Sequence, residues 1–312
     1  MQMSPIGKKT LPIVFIAILL ICGSYFVYRY GVYLRQSRRQ QAVFEQRKAA
    51  WQLLRQKLTY EIKQFKGEAG LVVKDLQSNR EISYNKDRLF PSASLVKLPI
   101  MVACFLAAEE GKLKLDRAVV LRSSDKLSGS GRLKDVRPGA IFTVEELIGF
   151  MVYDSDNTAT SILTNLVGID YLNRVFKSLG LKNTSLLRRV ADFRLRDRGI
   201  ENYTTAQDIA WLLERIYHKN LVSKDLSEQC LRVLKLQRVN DRIPKYLPVE
   251  VTVAHKTGLE RSVCHDAGIV FSCKGDFLIS AFTQHANPNA VASKNFIARV
   301  ALHTYAYSEE AL

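Results

Sequence analysis

The first hydrophobic pattern in the chain is an uncharged apolar run from Leu11 to Tyr28, with two lysines before it and an arginine directly after it. A run of this length suits one crossing of a bilayer. It predicts a short tail over residues 1–10 and a transmembrane signal anchor over residues 11–30. A cleaved signal peptide is the alternative, although the pattern of small residues needed for cleavage is poor.

The next pattern is polar and helical. Residues 31–48 are rich in arginine and are predicted to form a basic helical stalk. Beyond this stalk Leu54, Leu58 and Ile62 return to one face of a helix, which is the stripe needed to pack on a sheet. The stripe begins a globular domain predicted over residues 49–312.

Segments typical of strands lie at both ends of that domain, and segments typical of helices lie between them. The predicted strands include Leu71–Val73, Glu81–Tyr84, Val249–His255, Ala267–Phe271 and Phe277–Thr283. The predicted helices are Ser94–Ala108, a helical region from Thr143 to about Leu234, and Asn295–Ala306. Residues 49–90 and 245–312 are therefore predicted to form an α/β part, with a helical part over residues 91–244 inserted into it.

Composition narrows the class of protein. The chain has 312 residues, a formal net charge of +16, 47% hydrophobic residues and a mean hydropathy of −0.06. This is enough apolar material for a large core, which excludes a disordered polymer, and the single long apolar run excludes a polytopic membrane protein. The basic excess indicates anionic surroundings. A surface that faces lipid headgroups accounts for it, and no motif of interleaved basic and aromatic residues favours a nucleic-acid partner.

The five cysteines and five histidines show no spacing typical of a metal site, because neither a CxxC pair nor an HExxH motif occurs. Cys264 and Cys273 either face each other across a hairpin or pack without pairing. His265 and Asp266 beside Cys264 are only a weak metal candidate. No metal and no other cofactor is predicted.

Three short motifs carry candidate chemistry, and the first runs from Pro91 to Lys97. It places Ser94 and Lys97 three residues apart at the start of the buried helix, and therefore one turn apart on one face. The serine gains from the dipole and the free N–H groups of the helix start, and a buried lysine can accept its proton. By itself the spacing is equally typical of a helix cap.

The second motif is Ser155, Asp156 and Asn157, in a loop just before a predicted helix. A loop residue at a helix start can aim its hydroxyl into a cleft. The same three residues also form an ordinary N-cap sequence. The motif therefore favours a site only in combination with others.

The third motif is Lys256, Thr257 and Gly258 at the end of a predicted strand. The glycine lets a ligand lie against the backbone, and the lysine offers a cation to a carboxylate. A strand end with a solvated lysine is the alternative. The three motifs together, in this order and these contexts, are far more specific than any one of them.

In these motifs, in Gly129-Ser130-Gly131 and in the segment from Thr143 to Leu147, the sequence resembles the class A β-lactamases and their penicillin-binding relatives. The resemblance spans about Trp51 to Tyr305. It implies an α/β plus all-α, β-lactamase-like fold, in which an antiparallel five-stranded sheet is flanked by the terminal helices and a helical domain is inserted. A Ser-His-Asp hydrolase is the competing class, but the chain has no GxSxG elbow.

The resemblance implies a role for each motif residue. Ser94 would be the acylated nucleophile, Lys97 its proton acceptor or relay, and Ser155 the donor of a proton to the leaving nitrogen. The substrate-binding residues would be Asn157, Lys256, Thr257 and Gly258. The backbone N–H groups of Ser94 and Leu259 would form the oxyanion hole.

The sequence departs from class A β-lactamases in one loop. Their loop carries a glutamate that activates the water for deacylation, and an ungapped alignment places Val190 there. Arg188 matches the family's loop arginine, whereas Tyr203 replaces its acidic partner. The nearest carboxylates are Asp192, Asp197 and Glu201. Without the glutamate, the resemblance implies that acylation survives and hydrolysis slows.

The sequence thus predicts an active-site serine hydrolase or acyl-transferase that β-lactams or D-Ala-D-Ala peptides acylate at Ser94, similar to a penicillin-binding D,D-peptidase. A true β-lactamase with a displaced carboxylate and a covalent β-lactam sensor are the alternatives. The expected partners are a β-lactam or a peptidoglycan stem peptide, and membrane lipid around the N-terminal helix. The expected location is the cell membrane, single-pass, with the catalytic domain on the extracytoplasmic side. The arginines after the apolar run oppose that orientation by the positive-inside rule.

Overall fold

The structure is a computed structural model that describes residues 7–286 and 290–310. Its helices are α1 (Gly7–Gln64), α2 (Lys97–Glu109), α3 (Val144–Tyr153), α4 (Asn157–Val167), α5 (Ile169–Ser178), α6 (Phe193–Asp197), α7 (Ala206–Tyr217), α8 (Lys224–Leu234) and α9 (Val291–Glu310). Its strands are β1 (Glu68–Asp75), β2 (Glu81–Tyr84), β3 (Phe90–Pro91), β4 (Ala118–Val120), β5 (Ile141–Thr143), β6 (Tyr203–Thr204), β7 (Thr252–Glu260), β8 (Val263–Phe271) and β9 (Phe277–Gln284).

The chain divides into two compact units, with the boundary between Gln52 and Leu53. The first unit contains the segments predicted as anchor and stalk, and its described backbone is helical from Gly7 onward. Residues 1–6 of the predicted tail lie outside the described residues, as do the side chains of residues 7–14 and 17. Among the residues described, no helix is apolar over a length that could cross a membrane. The predicted anchor over residues 11–30 includes some of these undescribed side chains and stays a prediction.

The second unit, Leu53–Glu310, is built on a five-stranded sheet in the order β2-β1-β9-β8-β7. All neighbouring strands are antiparallel, which confirms the predicted sheet. Strand β8 is buried at every position from Val263 to Val270, so both of its faces are covered.

The terminal helices of this unit flank the sheet together, as predicted. The ring of Phe65, just past the end of α1, stacks on that of Phe296 in α9, with 4.8 Å between the ring centroids. Glu61 accepts a hydrogen bond from Arg299 Nε at 2.7 Å. An apolar contact and an ion pair thus join the two helices.

The helical part between the two sheet segments positions residues of the candidate site. Helix α2 is buried from Lys97 to Phe105, because nearly all of its side chains are apolar. A capping box begins α3. The Glu146 N–H donates to Thr143 Oγ1 at 3.1 Å, and the Thr143 N–H donates to the Glu146 carboxylate at 2.7 Å.

The structure corrects two predicted boundaries. The strand predicted at Val249–His255 is β7, which stays paired with β8 as far as Glu260, so the third motif lies within an edge strand and not at its end. Ser94 does not begin α2 but lies in a 3₁₀ turn before it. Pro99 fits the first turn of an α-helix, where its missing N–H costs nothing, and α2 accordingly begins at Lys97.

Candidate active site

Ser94 lies in the 3₁₀ turn that leads into α2, and the backbone before it is tightly held. His265 Nε2 donates to the Pro91 carbonyl at 2.9 Å, while its Nδ1 accepts the Thr283 N–H at 3.2 Å. Burial lowers the pKa of His265 to about 4, so the ring is neutral at pH 7. Ala93 has a φ of +44°, a strained conformation for a residue with a side chain. The position of the serine is therefore fixed by its surroundings.

Lys97 is completely buried at the first position of α2. Its Nζ donates to the Ser155 carbonyl at 2.5 Å, to Ser155 Oγ at 3.2 Å and to Asn157 Oδ1 at 2.9 Å. The first and second motifs, 61 residues apart at Ser94 and Ser155, thus meet as predicted.

The loop of the second motif is held by Asp156, which caps α4. Its carboxylate accepts the Ala159 N–H at 2.9 Å and the Leu133 N–H at 2.8 Å. Ser155 has a φ of +52°, the left-handed region that non-glycine residues rarely adopt. Asn157 Nδ2 donates to the Ser128 carbonyl at 3.1 Å. These contacts keep the Ser155 hydroxyl aimed at the two buried lysines.

Lys256, in the third motif, also contacts the Ser155 hydroxyl. Its buried Nζ donates to Ser155 Oγ at 3.0 Å and to the Thr257 carbonyl at 2.8 Å. A Cβ on Gly258 would lie 3.4 Å from both Ala93 Cβ and the Leu95 backbone nitrogen. The glycine therefore packs β7 against the turn of the nucleophile, which adds to its predicted role of leaving backbone free for a ligand.

Ser155 Oγ accepts hydrogen bonds from the buried amino groups of Lys97 and Lys256. Keeping both of these groups charged is energetically unfavourable. Burial lowers the pKa of Lys97 to about 7, although Asp156 and Glu260 act in the opposite direction. Burial lowers the pKa of Lys256 well below its ordinary value, and the charge of Lys97 adds to that effect. A neutral lysine is a proton acceptor, so the site contains a base close to the predicted nucleophile.

A cleft lies beside these groups. It is lined by Ser94, Gly129, Ser130, Asn157, Val190, Ala191, Phe193, Arg196, Leu259, Glu260 and Arg261. The two residues predicted to supply the oxyanion hole, Ser94 and Leu259, thus line the same cleft as Asn157. The structure connects Asn157 to the other motifs through Lys97.

The residues of the weak metal candidate have other partners. Within the described ranges no group of three or more histidine, cysteine and carboxylate side chains is placed to hold an ion, and all five cysteines are unpaired. Asp266 accepts a hydrogen bond from the Ile243 N–H at 3.0 Å and contacts His255 Nδ1 at 2.9 Å. These side chains have structural partners.

Comparison with known proteins agrees with this geometry. The model of the family described as the Beta-lactamase enzyme family matches residues 53–308. The chain belongs to this family. Family membership makes it a serine hydrolase of the β-lactamase type.

Individual relatives of this β-lactamase family member are distant. The extended-spectrum β-lactamase PER-1 of Pseudomonas aeruginosa is 25% identical over 256 residues, which cover 78% of this chain and 83% of the relative. A β-lactamase structure from Sphaerobacter thermophilus has a TM-score of 0.75 at 27% identity and covers 83% of this chain and 97% of its own. A PBP-A variant in an acyl-enzyme complex with penicillin G has a TM-score of 0.74 at 28% identity, with coverage of 83% and 97%.

The loop that contains Val190 differs in sequence from the corresponding loop of class A β-lactamases, and its contacts are different as well. Val190 lines the cleft, as its alignment with the deacylating glutamate predicts. Arg188 donates to Glu201 at 2.6 Å, so this carboxylate takes the place of the acidic partner that Tyr203 cannot supply. Asp192 caps α6 through the Leu195 N–H at 3.2 Å. Glu201 is therefore bound in an ion pair and is not free to activate water.

Sequence reasoning missed several residues of the site. Glu260 was not predicted, although an acidic side chain two residues beyond a substrate-binding glycine was a usable signal. Arg242, completely buried with Nε 3.1 Å from Cys264 Sγ, carried no such signal, because its burial depends on packing between distant segments. The same holds for His265, whose contact with Pro91 joins residues far apart in sequence.

The lowered pKa of Lys97 predicts how acylation depends on pH. Neutral lysine is the form that accepts a proton, so the acylation rate constant should rise as pH increases through about 7 and then level off. The measurement is the rate of labelling by a fluorescent penicillin in buffers on both sides of that pH. A rate that stays constant across this range would exclude Lys97 as the titrating base.

Proposed function

We propose that the chain is a penicillin-binding, D,D-peptidase-like enzyme that β-lactams and D-Ala-D-Ala peptides acylate at Ser94 and that releases the acyl group slowly. The observation that carries the proposal is the contrast between the two halves of the reaction. Lys97 and Lys256 meet at Ser155 Oγ, whereas Val190, which aligns in sequence with the deacylating glutamate of class A β-lactamases, lines the cleft.

Acylation follows from the contacts of these groups. Neutral Lys97 accepts the proton of Ser94, directly or through Ser155, while Ser94 Oγ attacks the carbonyl carbon of the substrate. Ser155 then donates a proton to the leaving nitrogen, and its hydroxyl is replenished from the lysine that it contacts. The N–H groups of Ser94 and Leu259 stabilise the oxyanion. Lys256 and Thr257 bind the substrate carboxylate.

The relatives support acylation by β-lactams. A variant of PBP-A forms an acyl-enzyme complex with penicillin G. PER-1 and VEB-1 are β-lactamases, and they favour the second candidate, a true β-lactamase with a displaced carboxylate. We favour the first candidate, because Val190 aligns with the deacylating glutamate and lines the cleft.

The test is a time course of penicillin with the whole chain, followed by intact mass. We expect one penicillin to add to each protein molecule and the adduct to outlast many acylation times. Hydrolysis of a large excess of penicillin without a detectable adduct would favour the β-lactamase instead. A chain that gains no mass would contradict both candidates.

A location outside the cytoplasm is part of the proposal, because peptidoglycan stems and β-lactams are met there. Protease added to spheroplasts is expected to degrade the catalytic domain, while a cytoplasmic marker protein survives. Full protection of the domain in spheroplasts, with digestion only after lysis, would place it on the cytoplasmic side.

A further inference from the structure

Release of an acyl group from Ser94 requires a base that takes a proton from water or from an acceptor amine. The three loop carboxylates identified from the sequence do not fit this task. Asp192 caps a helix, Asp197 has a mostly exposed side chain, and Glu201 holds Arg188. None of the three lines the cleft.

Glu260 is the one acidic residue among the cleft-lining side chains in the described chain. It lies at the last position of β7, next to Leu259 of the predicted oxyanion hole. Its side chain is 25% exposed, so it is reached from the cleft while most of it is shielded. It shares the cleft with Ser94 and Val190.

The contacts of Glu260 leave its carboxylate available. Arg188 Nη2 lies 3.8 Å from Glu260 Oε1, which is an ion pair but too long for a hydrogen bond. The same nitrogen donates to Glu201 at 2.6 Å. Arg188 is thus committed to Glu201, and Glu260 keeps its lone pairs for another donor.

The charges around Glu260 suit a proton acceptor. Burial raises the pKa of Glu260, and repulsion by Glu201 adds to this effect, while Arg188, Arg196 and Lys97 oppose it. A carboxylate with a raised pKa is a better general base near neutral pH than an ordinary surface glutamate. The charge of Glu260 in turn raises the pKa of Lys97.

We propose that Glu260 is the general base of deacylation and acts from the β7 side of the cleft in place of a loop glutamate. The inference rests on the proposed function, because it needs an acyl-enzyme at Ser94. It identifies the residue that gives this enzyme its remaining turnover.

The chemical step balances with water as the acceptor. The carboxylate of Glu260 takes one proton from water as the water oxygen bonds to the acyl carbon. The tetrahedral intermediate then breaks its bond to Ser94 Oγ, and a proton returned from Glu260 or Lys97 restores the serine hydroxyl. The products are a carboxylic acid and free enzyme. An amine acceptor would lose its proton to the same carboxylate.

The test compares the lifetime of the penicillin adduct in Glu260→Gln and in wild-type protein by intact mass. Glutamine keeps the shape of the side chain and removes the base, so deacylation should slow about 10²-fold while acylation continues. Asp192→Asn is the matched control, since asparagine also caps helices, and its adduct should decay at the wild-type rate. A second variant, Glu260→Ala, should regain deacylation when formate is added, which a purely structural role would not produce.

Three outcomes would overturn the assignment. Adduct decay in Glu260→Gln within about twofold of wild type would show that Glu260 is not the base. A slow Asp192→Asn adduct would transfer the role to the loop. If formate does not restore deacylation in Glu260→Ala, the role of Glu260 is only structural. Absence of any wild-type adduct, combined with no penicillin hydrolysis, would instead contradict the proposed function itself.

Discussion

Replacing Ser94 with alanine should abolish covalent labelling by a fluorescent penicillin and leave the thermal transition nearly unchanged. Only Ser94 Oγ is placed to carry the acyl group in the proposed reaction. The side chain is partly exposed, and its hydroxyl has no hydrogen-bond partner among the described residues. Because no hydrogen bond is lost, the substitution should change the free energy of unfolding by no more than about 0.5 kcal/mol.

Ser92→Ala is the control for this substitution. Ser92 lies in the same segment, but its hydroxyl makes only a long contact of 3.4 Å with the Ala93 carbonyl. Labelling should persist in this variant. Labelling that survives in Ser94→Ala and maps to Ser155 or Ser130 by peptide mass would move the nucleophile and refute the assignment.

Replacing Val190 with glutamate should accelerate release of the penicillin adduct by about 10²- to 10⁴-fold, the usual contribution of a general base. Val190 lines the cleft that contains Ser94, so a carboxylate there lies beside the acyl group. The valine is half-buried and packs against the core, so the substitution should also cost on the order of 1 kcal/mol of stability. The measurement is adduct lifetime by intact mass, together with steady-state penicillin hydrolysis.

Val190→Gln separates chemistry from loop disturbance in this experiment. Glutamine has the size and polarity of glutamate without its basicity, so its adduct should decay as in wild type. Equal acceleration by glutamine and glutamate would mean that a loosened loop admits water. No acceleration by either would mean that the loop backbone departs from that of class A β-lactamases.

Much of the site could be predicted because its chemistry is local in sequence. Ser94 and Lys97 are separated by one turn, and Asp156 is an ordinary cap that also orients its neighbours. The meeting of the motifs around Ser155 Oγ was not visible in any one of them. It followed from the order of the motifs and from resemblance to a known family.

The parts that were missed depend on contacts between distant segments. The extension of β7 to Glu260 is set by pairing with β8, not by local propensity. The local sequence does not show that Glu201 pairs with Arg188, because this ion pair depends on how the loop folds back on itself. The anchor over residues 11–30 stays a prediction from hydropathy.

Because Lys97 is buried, the free energy of unfolding of this enzyme depends on pH above neutrality. An unfolded chain keeps that lysine protonated up to about pH 10.4, whereas the folded chain releases the proton near pH 7. Between these values the unfolded state binds more protons, so the free energy of unfolding rises with pH. Below pH 7 both states are protonated and the full penalty of the buried charge remains. An enzyme that keeps a proton acceptor inside its core is therefore less stable at neutral and acidic pH than it would be with that lysine uncharged.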